Sequence, residues 1–290
     1  MLKTIRAIGI SALGLGLMAP TAGFAEDLEA TIPMEAGGRL RIELPSGRIE
    51  IDSHDESTVE LNGRSSGRFR FEVEESDDEI FVHGRSEGFL PWFSGKVHIH
   101  VRVPSRFSLD LKTGGGRIDI EDIHGEVRAH TSGGKIGLER ITGNVEIETS
   151  GGRIQAQEID GDLNARTSGG RIHISEVTGD VDVHTSGGPI RIREASGEVN
   201  AKTSGGPIEV RFNGQPGGKL ETSGGSIEVE VPVDRGFDLD ARTSGGRVEL
   251  DPELPLEGDS SRSKITGKVN GGGPSLSLKT SGGNVQIQVR

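Results

Sequence analysis

Acidic side chains recur at one position of a regular repeat in this sequence: Glu126, Asp162, Asp180 and Glu198. Paired carboxylates are what acid/base cleavage of a glycosidic bond needs. Histidines also pair. His98 and His100 stand two apart, so a strand would put both on one face. His130 and His184 share a repeat position, an arrangement from which a metal site could be built. Neither pattern completes a chemistry. The units between His130 and His184 carry Glu148 and Arg166 at that position, so no histidine ladder forms. Carboxylates on an outward strand face serve solubility, and aromatic platforms for sugar rings are limited in the repeat to Phe212 and Phe237. Each glycine pair is followed mostly by Arg or Pro and then Ile, without the Asp of calcium-binding nonapeptides, so hard oxygen ligands are missing. No Ser/His/Asp constellation, phosphate loop or nucleophile motif is present. The chain therefore reads as a non-enzyme with no catalytic, cofactor or metal residue assigned.

Two features remain as binding candidates. Arg117, Lys135, Arg153 and Arg171 occupy the fifth position of four consecutive units, before Pro189, Pro207 and Ser226 replace them. If units stack, these cations form a ladder with steps of ~4.8 Å. Such a ladder is either a solvated edge that discourages strand pairing or a stripe for the phosphate or carboxylate groups of an anionic envelope polymer. The second candidate is Gly88 to Gly95, which holds Phe89, Leu90, Trp92 and Phe93, including the only Trp. It is either an exposed contact for a partner or membrane or a plug over the end of the core.

What must position these residues is the repeat itself. Thr-Ser-Gly-Gly begins at Thr131, Thr149, Thr167, Thr185 and Thr203, with Thr113 opening a Thr-Gly-Gly-Gly variant, each step being 18 residues. The series loosens at Thr222, Thr243 and Thr280. Counting from each Thr, positions 6 and 8 are apolar, as in Ile154 and Ala156, and so are positions 15 and 17, as in Leu163 and Ala165. That alternation is the period-2 signature of two short half-buried strands. Position 11 is apolar too (Ile123, Ile141, Ile159, Val177, Ala195), and position 13 is Gly in the first five units. The glycines lie between the strands, where turns call for positive φ.

One such unit cannot bury its own apolar face, so stability requires neighbours that stack. An all-β parallel solenoid with 18-residue coils meets this. The alternative is an antiparallel meander or barrel in which Thr-Ser-Gly-Gly is a hairpin turn. Position 11 favours the coil, because its Ile or Val would be exposed in a hairpin turn but can point inward from a corner.

The organisation expected is a signal peptide at 1–25, a β-rich segment and cap at 26–112, the repeat solenoid at 113–250, and an excursion with a last repeat at 251–290. Lys3 and Arg6, the apolar run Ile8 to Met18 and the small residues before Glu26 are ordered as in a secretory signal. Within 26–112, Gly38-Arg39-Leu40 and Ser46 to Ile51 look like degenerate units. No later segment has the apolar length of a transmembrane helix. There is no Cys, so disulfides contribute nothing. Removing residues 1–25 takes away two cations and no acid, which moves the formal charge from −12 to −14. That balance argues against nucleic acid as partner.

With its signal peptide, β-rich lead segment and Thr-Ser-Gly-Gly-x-Ile units, the chain resembles the bacterial putative-adhesin repeat family over about residues 38–290. The resemblance implies an extracytoplasmic β-repeat protein linked to adhesion or envelope homeostasis, in a family largely of unknown function, and brings no catalytic residue. Two functions follow as expectations: a binding module presenting a repetitive surface to an envelope component, or a structural or regulatory envelope protein whose solenoid is a spacer.

Overall fold

The computed structural model describes residues 3–5, 27–66, 69–86 and 97–290, and every regular element among them is a β-strand. Apart from Lys3–Ile5, the segment read as a signal peptide lies outside the described residues, as do Phe89, Leu90, Trp92 and Phe93. The chain divides into two compact units, Met1–Ser132 and Gly133–Arg290.

The first unit contains β1 (Lys3–Ile5), β2 (Leu28–Pro33), β3 (Arg39–Leu44), β4 (Arg48–His54), β5 (Thr58–Ser65), β6 (Phe69–Glu75), β7 (Glu79–Ser86), β8 (Val97–Pro104), β9 (Ser108–Thr113), β10 (Ile118–His124) and β11 (Val127–Thr131). Its sheets run β1-β6-β7-β3-β9-β11 and β2-β5-β8-β4-β10. The degenerate repeat seen in the sequence is a genuine coil. Leu40 pairs with Leu109, and Ile49 and Ile51 pair in parallel register with Ile118 and Ile120. Beyond it β7 and β8 add another parallel pair, and then the direction reverses: β6 is antiparallel to β7, β5 to β8 and β2 to β5. Antiparallel strands thus close the parallel stack, so that its last rung does not present a long parallel template to another chain.

The second unit contains β12 (Ile136–Thr142), β13 (Val145–Thr149), β14 (Ile154–Asp160), β15 (Leu163–Thr167), β16 (Ile172–Val177), β17 (Val181–Thr185), β18 (Ile190–Ala195), β19 (Val199–Thr203), β20 (Ile208–Phe212), β21 (Gly218–Thr222), β22 (Ile227–Val231), β23 (Phe237–Thr243), β24 (Val248–Leu250), β25 (Leu256–Ser261), β26 (Lys264–Val269), β27 (Ser275–Thr280) and β28 (Val285–Val289). Odd strands up to β21 stack parallel in one sheet and even strands up to β22 in the other, each displaced by one coil. The parallel pairing excludes a meander. Each coil buries what the pattern assigned to it: Ile154, Ala156, Ile159, Leu163 and Ala165 are all at most 1% exposed.

Position 11 points inward for a reason the sequence reading lacked. The residue before it takes a left-handed backbone in five coils: Asp122, Arg140, Glu158, Glu176 and Glu194 have φ of 54–60°. A left-handed residue interrupts the strict alternation of the strand and turns the chain at the corner, which lets positions 8 and 11 both face the core. For non-glycine residues that conformation costs about 1–2 kcal/mol each.

The Thr-Ser-Gly-Gly corner also differs from expectation. Positive φ is found at Gly143 and Gly161, both at position 13, but not at Gly169 or Gly170. Gly170 is needed for another reason: a Cβ there would collide with the carbonyl of Gly152 on the preceding coil, whereas one on Gly169 would meet open space. The corner is small because neighbouring backbones touch.

The order of coils at the C-terminal end departs from chain order. β27 lies between β21 and β23, and β28 between β22 and β24. The last coil therefore slots in before the preceding one. The excursion at 251–274 supplies β25 and β26, a hairpin in which β26 runs antiparallel on β23 and β25 forms the edge of the sheet.

This geometry separates two adjacent glycines. Gly170→Ala is expected to lower the melting temperature sharply, because the clash is with backbone, while Gly169→Ala leaves it nearly unchanged. Equal tolerance of both by thermal melt would contradict the close approach at this corner.

Candidate functional site

Of the acids that repeat at position 14, Asp162 and Asp180 are bound into the stack. The backbone N–H of Asp180 donates to Asp162 Oδ1 at 2.9 Å, and that of Glu198 to Asp180 Oδ1 at 2.9 Å. Asn144 takes the same role one coil earlier, accepting from Asp162 N–H at 3.4 Å. Glu126, in the first unit, is paired with Arg128. From Asn144 to Asp180 the column is a side-chain ladder along the stack, in which the carboxylates of Asp162 and Asp180 accept from backbone N–H groups of the next coil.

His98 and His100 are hydrogen-bonded to carboxylates. His98 Nε2 lies 2.6 Å from Glu50 Oε2 and His100 Nε2 lies 2.5 Å from Asp52 Oδ1, each on the adjoining strand. Arg102 continues the row toward Asp52 and Glu60. Among the described residues one group could hold a metal by distance, His54 with Glu56 and Glu60. Two of its members are already engaged: His54 Nε2 donates to the carbonyl of Thr58 at 2.7 Å, and Glu60 accepts from Arg102 at 3.2 Å. A metal there would have to displace both contacts.

The residues of the cationic stripe fall in both units. Arg117, in the first unit, is paired with Asp119. Lys135, Arg153 and Arg171 occupy one register on successive coils of the second unit, where Ile136 N–H bonds Arg153 O and Ile154 N–H bonds Arg171 O, both at 3.0 Å. Arg153 and Arg171 are exposed, and among the described residues neither has a carboxylate within ion-pair distance. Farther along the same sheet the charges are matched. Arg191 holds Glu209 of the next coil through Nε and Nη2 at 2.5 and 2.9 Å, and Arg211 holds Glu230. The hydrogen bond from Arg191 keeps Glu209 below the usual carboxylate range, partly opposed by burial.

The other sheet carries a column that sequence order conceals. Position 18 reads Lys202, Glu221, Lys279 and Arg242 in stacking order, because β27 slots between β21 and β23, and Lys264 of β26 then pairs with Arg242. The 37-residue gap between Thr243 and Thr280 hides this neighbourhood; only the Thr register reveals it.

A family model described as Toastrack DUF4097 matches residues 38–288. No match is found among curated proteins. Solved structures similar to the chain include a putative lipid binding protein from Parabacteroides distasonis ATCC 8503, at 14% identity, covering 91% of this chain and 98% of that one, with a TM-score of 0.45. A putative adhesin from Bacteroides fragilis NCTC 9343 matches at 13% identity, 91% and 97% coverage and a TM-score of 0.35. A putative cell adhesion protein from Clostridium sporogenes ATCC 15579 matches at 12% identity, 91% and 100% coverage and a TM-score of 0.28.

The structural role of the acidic column can be checked directly. Asp180→Ala leaves the Glu198 N–H without its acceptor and is expected to cost about 1 kcal/mol in denaturant unfolding, while Asp180→Asn keeps an acceptor oxygen and costs less. An Asp180→Ala midpoint equal to wild type would remove the ladder from the account.

Proposed function

The chain belongs to the Toastrack DUF4097 family, and from that premise we propose that it is an exported, non-enzymatic binding module that displays periodic columns of charge to an anionic component of the cell envelope. The observation that carries this reading is the register of the outward faces. Lys135, Arg153 and Arg171 repeat at one position on successive coils, with the two arginines exposed. A row of cationic groups on backbones ~4.8 Å apart matches a ligand whose own charges are closely spaced along a chain. The row persists despite a formal net charge of −12, so it is a local feature and not a reflection of overall basicity. Two of the acids that could have served a glycan enzyme, Asp162 and Asp180, are engaged by backbone, and Glu126 is paired with Arg128, which supports binding over hydrolysis. Export is read from the ordering of residues 1–25.

The test is binding of the chain from Glu26 onward to immobilised anionic envelope polymers at low and high salt. Wild type is expected to bind in a salt-sensitive manner, and Arg153→Thr with Arg171→Thr to bind more weakly at unchanged or higher stability, since like charges on neighbouring coils repel. Equal binding by wild type and the double variant would reduce the stripe to a solvated face.

A further inference from the structure

The C-terminal coils of the second unit enclose a groove of about 630 Å³ on the sheet opposite the arginine column. Its charged lining is Lys202, Lys264, Lys279 and Arg242 against one carboxylate, Glu221, so three positive charges are left over locally in an acidic protein. Glu221 is moreover engaged by Lys219 at 2.7 Å, and that hydrogen bond keeps its pKa low, with the charges of Lys219, Lys202 and Lys279 adding to the effect. Arg242 leans on Asp240 at 2.6 Å. Among the described residues, Lys264 and Lys279 have no carboxylate within ion-pair distance. Beside the cations run Ser204, Ser223, Ser281 and Ser244, the second residues of four stacked corners. All four are exposed, and among the described residues their hydroxyls make no hydrogen bond within the protein.

We propose that this groove binds an extended anionic polysaccharide. The cations step from strand to strand at ~4.8 Å, so the row from Lys202 to Lys264 spans roughly 19 Å, too long for one small anion and suited to a chain lying along the stack. Compact ammonium groups with rotatable donors accept oxyanions without demanding one orientation, and the parallel line of serine hydroxyls offers donors and acceptors to sugar hydroxyls between the charges. Single-stranded nucleic acid fits less well, since it binds through aromatic stacking platforms as well as charge. The described aromatics of this unit, Phe212 and Phe237, are fully buried. The inserted last coil places Lys279 between Glu221 and Arg242, which would otherwise be adjacent, and raises the local excess of positive charge from two to three. The inference does not depend on the arginine column, which lies on the other sheet and is altered by different substitutions.

The experiment measures affinity of the full chain from Glu26 onward for dextran sulfate, uncharged dextran and single-stranded DNA over a range of salt. Dextran sulfate is expected to bind, uncharged dextran not. Lys264→Ser with Lys279→Ser should weaken dextran sulfate on the order of tenfold and flatten the salt dependence, as removal of two unpaired cations requires. Ser281→Asp, an exposed position that keeps every lysine, should weaken it as well, which guards against a double variant that fails to fold. Arg153→Thr with Arg171→Thr serves as the control and should have the smaller effect. Unchanged affinity in both groove variants, or an equal loss in the control, overturns the site. DNA binding as tight as dextran sulfate and equally sensitive to the lysines overturns the ligand class.

Discussion

The structure depends on a buried threonine hydroxyl that joins each coil to the one before it. Thr167 Oγ1 donates to Gly152 O at 3.0 Å and accepts from Gly170 N–H at 3.2 Å; Thr185 does the same with Gly170 O and Gly188 N–H, and Thr203 with Gly188 O and Gly206 N–H. These threonines are 0–4% exposed, so each bond is made where water cannot readily substitute. Serine, alanine or valine could not do both tasks. The hydroxyl satisfies the corner peptides, and the γ-methyl group fills the inside of the turn beside the apolar stack. Glycine at position 4 follows from the same contact, since the bond forms only if two backbones approach without an intervening Cβ.

That ladder also explains how the ends can depart from chain order. Thr280 donates to Gly225 O and Thr243 to Gly283 O, both at 2.7 Å, so any coil that presents Thr and Gly at the corner is an acceptable neighbour of any other. In the first unit Thr113 donates to Gly47 O at 3.1 Å, while Leu44 replaces Thr in the degenerate coil. Interchangeable coils allow the final coil to be inserted and the unit to finish on an antiparallel hairpin. An insertion between repeats is thereby turned into an end cap, and it assembles a row of cations from residues far apart in sequence.

The 18-residue coil, its two strands and its five inward side chains were legible because burial imposes period-2 alternation on every strand. The degenerate coil at Arg39–Ile51 was legible for the same reason. The left-handed residues at position 10 were not, because four of the five are Arg or Glu, which carry no composition signal for positive φ; the sole trace was an apolar residue at position 11 where alternation calls for a polar one. The glycines were correctly marked as turn residues but for the wrong cause at Gly170, since close approach between coils is a tertiary fact. Of the candidate stripe, Lys135, Arg153 and Arg171 share a register, while Arg117 is neutralised by Asp119 two residues on. The Lys202–Lys264 groove was invisible, since register between β21, β27 and β23 is fixed by pairing and not by chain order.

All of these features assume that the threonine hydroxyl holds the coils together, and denaturant unfolding of two variants tests that most directly. Thr185→Val keeps shape and removes the hydroxyl, leaving Gly170 O and Gly188 N–H buried without a partner; it is expected to cost about 1–3 kcal/mol. Thr185→Ser keeps the hydroxyl and should retain most of the stability. A Thr185→Val protein as stable as wild type, or a serine variant as damaged as the valine one, would contradict the account.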